Sequence, residues 1–92
     1  MHIHVIAWDD DDDPNGNVRH IEAAELTPAE VDEVLYAHEG GPDDFSESSG
    51  LPMVFGTTST GKRIVVVYDD QSDDDLVVIY PVTAYTVPEY GG

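Results

Sequence analysis

Residues 63–86, Arg63-Ile64-Val65-Val66-Val67-Tyr68-Asp69-Asp70-Gln71-Ser72-Asp73-Asp74-Asp75-Leu76-Val77-Val78-Ile79-Tyr80-Pro81-Val82-Thr83-Ala84-Tyr85-Thr86, carry the strongest fold signal in the chain. Arg63 to Tyr68 is a β-branched run, and such side chains favour a pleated, half-buried strand. Asp69 to Asp75 is too charged to extend it and reads as a turn. Leu76 to Thr86 is a second, longer strand, interrupted at Pro81, which has no N–H to give to a ladder. Just upstream, Leu51 to Thr58 is a third strand leading into a turn at Ser59-Thr60-Gly61. Together these three segments predict a meander.

The preceding half of the chain changes period. Residues 43–50 (Asp-Asp-Phe-Ser-Glu-Ser-Ser-Gly) have the composition of a mobile loop. Before it, Thr27-Pro28-Ala29-Glu30 announces a helix, with Thr27 as N-cap, Pro28 at N1 and Glu30 closing a capping box. Its apolar stripe is Val31, Val34 and Leu35, with Tyr36 and Ala37 near the end, and Gly40-Gly41-Pro42 stops it. A shorter helix gathers Val18, Ile21, Ala24 and Leu26, with Asn17 placed to cap it. Asp9 to Asp13 with Pro14-Asn15-Gly16 is a loop, and residues 2–8 alternate as a strand with one wet face. The order is β-α-α-β-β-β over one domain, residues 1–92. The expected class is α+β: a mainly antiparallel four-stranded sheet with two helices on one face. Its expected core is Trp8, Ile21, Val34, Leu35, Val66 and Ile79.

Charge narrows the function. The 92 residues hold 20 carboxylates against three Lys and Arg, a formal charge of −17. Nucleic acid is bound by neutralising several phosphates with cations, and Arg19, Lys62 and Arg63 are the whole supply. Tight RNA or DNA binding is not expected. Thirteen of the carboxylates are Asp and seven are Glu, a surplus that suits solubility or salt adaptation. With no cysteine, a disulfide, a thiolate nucleophile and a Cys-based zinc site are all ruled out. The apolar stretch at the N-terminus is short, alternating and without a basic flank, so no signal peptide is read there. No window approaches a membrane span. A cytoplasmic protein with no membrane affinity is the expectation.

Several motifs recur in one order. Trp8-Asp9, Asn17-Val18-Arg19-His20-Ile21 and Leu26-Thr27-Pro28-Ala29-Glu30-Val31 with Val34-Leu35 form the first set. Phe55-Gly56-Thr57-Thr58, Gly61-Lys62-Arg63, Val65-Val66-Val67-Tyr68 and Tyr80-Pro81-Val82-Thr83-Ala84-Tyr85 form the second. This succession resembles the BrnT-type toxins and their relatives, over about two thirds of the chain. The resemblance implies a RelE-like fold, ribonuclease activity and an antitoxin partner, with oligomers common. On that reading His20 would act as acid or base, and Arg19, Lys62 and Arg63 would bind phosphate. Three departures imply a degenerate or weak ribonuclease. Ala24-Glu25 stands where the family has a second His followed by Gly, and Thr86-Val87-Pro88 replaces its basic tail. The insertion Asp10 to Gly16 adds negative charge beside the helix. A non-catalytic module that meets a basic protein partner is the alternative.

Two metal readings come from the residues themselves. Asp11 to Glu22 fits the twelve-residue calcium loop, with Asp11, Asp13, Asn15 and Glu22 as side-chain ligands and Asn17 as a carbonyl ligand. The helix that should precede such a loop is replaced by a strand, so a solvated turn is the competing reading. His2 and His4 have transition-metal spacing on one strand face, which equally describes an exposed polar face. Ser46, Ser48 and Ser49 with the histidines lack a nucleophile elbow.

Overall fold

The computed structural model describes residues 3–38 and 40–87. In chain order these form β1 (Val5–Ile6), α1 (Asn17–Ala23), α2 (Pro28–Ala37), β2 (Asp44–Phe45), β3 (Pro52–Thr57), β4 (Arg63–Asp70) and β5 (Val78–Thr86). The sheet order is β1-β5-β4-β3-β2, so β3, β4 and β5 form the expected antiparallel meander. β1 lies parallel to β5 at the edge, with Val5 beside Val78 and Ile6 beside Ile79. The α+β class stands.

The sheet has five strands among the described residues, not four. The added strand is β2, inside the segment expected to be a mobile loop. Asp44 and Phe45 pair with Met53 and Pro52. Asp43 N–H donates to the Met53 carbonyl (2.9 Å) and Ser46 N–H to that of Leu51 (2.8 Å), closing a short hairpin. Polar composition signalled a loop here, but backbone pairing needs no particular side chain. The first strand is shorter than 2–8. Only Val5 and Ile6 qualify, although Ala7 N–H still reaches the Ile79 carbonyl (2.8 Å). His2 lies outside the described residues.

The helices start and stop for readable reasons. In α2 the expected capping box is present: Glu30 N–H donates to Thr27 Oγ1 (3.2 Å) and Thr27 N–H to Glu30 Oε1 (3.1 Å). In α1 the cap is Gly16, not Asn17, and no side chain caps it. Asn17 is instead turned inward and buried. The helix ends at Ala23, short of Leu26, because Glu25 adopts φ +61° and Leu26 N–H closes back onto the Ile21 carbonyl (3.0 Å).

Both helices contribute to one core. Ile21 from α1 and Val31, Val34 and Leu35 from α2 meet Val54, Ile64, Val66, Tyr68, Ile79 and Ala84 from the sheet. The five expected aliphatic core residues are buried, while Trp8 packs at the margin, half-buried, donating from Nε1 to Asp32 Oδ1 (2.8 Å). Gly56 marks the closest approach of α2 to β3, since a Cβ there would lie 2.6 Å from Val34 Cγ1.

The acidic turn between β4 and β5 is tied by its own carboxylates. Asp70 Oδ1 accepts from Ser72 N–H (3.0 Å), and Asp73 Oδ1 accepts from the N–H groups of Asp75 and Leu76 (both 2.8 Å). Such short acidic side chains build turns by bonding their own backbone. Bonds from the Ser72 side chain and then its N–H hold the Asp70 carboxyl below its ordinary value, and those from the Asp75 and Leu76 N–H groups do the same for Asp73.

Candidate functional site

The four residues expected to carry ribonuclease chemistry fall in two pairs, Arg19 and His20 on α1 and Lys62 and Arg63 where the chain enters β4. Arg19 is exposed on α1 and donates from Nε to the Asp11 carbonyl (2.6 Å). His20, beside it, sets Nδ1 3.4 Å from the Val82 carbonyl oxygen. Lys62 is drawn to the helices: its Nζ lies 3.2 Å from Glu30 Oε2 and donates to the Glu25 carbonyl (3.0 Å). Bonds from Thr60 and then from Lys62 hold the Glu30 carboxyl low. Arg63 begins β4, exposed, with its carbonyl accepting from Val87 N–H (2.8 Å). Val82 is in the middle of β5 and Val87 lies just past its end, five residues on. At the rise of a strand that puts roughly 15 Å between the His20 and Arg63 ends.

The residues of the calcium reading serve local structure. Asp13 Oδ1 accepts from Asn15 N–H (3.0 Å), a turn-forming bond. Asp11 and Glu22 are exposed. Among the described residues no group of three or more His, Asp or Glu side chains is arranged to hold a metal ion. His4 Nδ1 accepts from Val77 N–H (2.8 Å), a bond between β1 and the segment leading into β5.

Asn17 belongs to a buried joint that sequence reading did not foresee. Its Nδ2 donates to the carbonyls of Ala7 (3.0 Å) and Pro81 (2.9 Å). Its backbone N–H donates to Asp9 Oδ2, and Asp9 N–H returns to Asn17 Oδ1, both at 2.9 Å. Tyr80 adds its hydroxyl to the same Asp9 oxygen (2.5 Å). The Tyr80 and Asn17 bonds hold the Asp9 carboxyl low, and the bond to Asp9 pushes the Tyr80 hydroxyl up to about 12. Pro81 leaves its carbonyl for Asn17 next to the bulge where β5 shifts register against Tyr68. This arrangement joins α1, β1 and β5 and satisfies every polar atom it buries.

The sheet's second face is the most conspicuous surface. Side chains alternate across a strand. Ile64, Val66 and Tyr68 point to the helices, so Val65 and Val67 point away, yet these are only 4% and 6% exposed. Register explains their shielding. Phe55 and Tyr85 stand directly opposite Val65 on either side, and Met53 and Thr83 stand opposite Val67. The aromatics are themselves 46% and 45% exposed. The result is an apolar strip along β4, in which Phe55, Met53 and Tyr85 stand over the valines. A cavity of about 380 Å³ opens at its Arg63 end, lined by Phe55, Thr57, Arg63, Val65 and Val87 among others. Asp44, paired with Met53, and Asp69, two residues beyond Val67, sit at its other margins. No helix of the described residues covers this face, because α1 and α2 both belong to the other core. The signal was in the sequence: Ile64 to Tyr68 is apolar without alternation, the pattern of a strand buried on both sides.

Among the described residues, no helix is long and apolar enough to cross a membrane. No family model, no curated protein and no solved structure matches this chain.

Proposed function

We propose that this chain is a non-catalytic, acidic protein-binding domain, a degenerate BrnT-like toxin-family member working in the cytoplasm with a basic, antitoxin-like partner. The observation that carries the reading is the dispersal of its cations. RNA cleavage on such a fold requires positive groups converging on one phosphate, to bind it and to stabilise developing charge. Here Lys62 is paired with Glu30 and Arg19 is held at the Asp11 carbonyl, while Arg63 stands at the far end of β5 from His20. A surface of −17 repels a polyanion and attracts a basic protein.

Induced expression in a bacterial host, with total RNA examined for cleavage, tests this. Growth continues and RNA stays intact if the reading is right. Purified protein then shows no sub-micromolar affinity for single-stranded RNA at ~150 mM salt, where the Debye length is ~8 Å. Growth arrest with RNA cleavage, abolished by His20→Ala, overturns the proposal.

A further inference from the structure

Resting on that binding-module reading, we infer that the face of the sheet that no described helix covers is a docking surface for a single amphipathic helix with basic flanks, presented by the partner. The contact surface is Phe55 with Met53 on β3 and Tyr85 with Thr83 on β5, which already cover Val65 and Val67 beneath them. Two strand spacings, about 10 Å, separate Phe55 from Tyr85, so one α-helix laid along β4, about 10 Å wide with its side chains, touches both. A helix needs such an apolar strip to bury its stripe at i, i+3, i+4 and i+7. Two half-exposed aromatics on a surface otherwise rich in Asp and Glu are the kind of anchor that interfaces use.

Charge selects the occupant. Arg63 stands at one end of the strip, but its other margins carry Asp44 and Asp69, and the charged turn with Asp73, Asp74 and Asp75 follows β4. Lys or Arg beside the apolar stripe of a helix would meet those carboxylates. A second copy of this chain is a poor occupant, because two bodies of −17 would be pressed together.

The test is amide chemical-shift mapping of the whole chain with a synthetic helical peptide bearing a Leu stripe and Lys elsewhere. Two control peptides replace its Lys by Glu or its Leu by Ser. Shift changes centred on residues 53–55, 63–67 and 83–85, seen only with the Leu/Lys peptide, are expected. Phe55→Ser combined with Tyr85→Ser weakens binding at least tenfold, while unchanged shifts at Ile21, Leu35 and Val66 report an intact fold. Asp69→Asn, which leaves the apolar strip alone, weakens it several-fold and serves if the double variant is unstable. Changes confined to the acidic loops with both Lys peptides overturn the docking assignment and leave the binding-module reading standing. Binding by neither Lys peptide overturns both. Salt-promoted dimers that disappear with Phe55→Ser, seen by sedimentation, overturn it in favour of a second copy.

Discussion

The two faces of this sheet share the strand β4 and differ in what lies over them. On one, Ile64, Val66 and Tyr68 are sealed beneath α1 and α2, together with Leu35 and Ile79 at 0% exposure. On the other, Val65 and Val67 are nearly as buried, but only by their cross-strand neighbours, with Phe55 and Tyr85 left half in water. Low exposure therefore has two sources here. Where the covering residues belong to a packed second layer, burial contributes to folding stability. Where they belong to the same sheet, apolar area remains available to a partner.

The largest expected effect separates the two faces directly. Leu35→Ala removes a wholly buried side chain from the helix-covered core and costs about 2–5 kcal/mol. Phe55→Ala on the uncovered face costs less than about 1 kcal/mol, since much of the ring is already solvated. Urea denaturation of both variants measures the contrast. Equal losses would mean that the uncovered face is as structural as the core.

Next is the joint that fastens β1 and α1 to the edge of the sheet. Asn17→Ala leaves the Ala7 and Pro81 carbonyls and the Asp9 N–H without partners, at about 1–3 kcal/mol. Thermal melts at neutral pH should show it. A loss as small as that of an exposed alanine substitution would contradict the bonding described.

A smaller, pH-dependent effect distinguishes hydrogen bonding from burial. Tyr80 has a folded value raised to about 12, so its neutral hydroxyl contributes stability that is complete below pH 10 and lost as pH rises through about 12. Tyr80→Phe removes that alkaline decline from the profile, apart from the part due to Tyr68, which burial raises on the core side. Asp9, with its value lowered, contributes stability present above the ordinary carboxyl range and lost as pH falls through its folded value. Asp32 goes the other way, because burial raises it more than the Trp8 bond lowers it. Asp32→Asn keeps an acceptor for Trp8 and should not lower the melting temperature at pH 7. A drop there would assign the charge itself a stabilising role.

The smallest effect concerns the acidity as a whole. Sodium and potassium chloride should stabilise the fold alike, since screening relieves repulsion as the Debye length shrinks from about 30 Å at 0.01 M to about 3 Å at 1 M. Matched melts with millimolar calcium and magnesium check this. A saturable shift with calcium alone, abolished by Glu22→Gln, would restore the Asp11 to Glu22 loop as a metal site.

Local chemistry determined much of this molecule. The capping box at Thr27 and Glu30 was legible because both partners lie within one turn, and so was the meander, because its β-branched runs are separated by turn residues. The α+β class follows from those periods. Asn17 as a cap, Asp43 to Gly50 as a loop and Arg19, His20, Lys62 and Arg63 as one site were not decided locally. Asn17 was drawn inward by the Pro81 carbonyl, 64 residues away, which lies just beyond the last bond between the first strand and β5, from Ala7 N–H to the Ile79 carbonyl. Asp44 became a strand because the β3 edge offered unpaired backbone groups. The cations were scattered by which carboxylate or carbonyl lay nearest, a matter of tertiary distance. The uncovered strip stands between these cases. Its apolar run could be read from Ile64 to Tyr68, but only the packing of both helices onto one face decided which side would leave Phe55 and Tyr85 half-exposed for a partner.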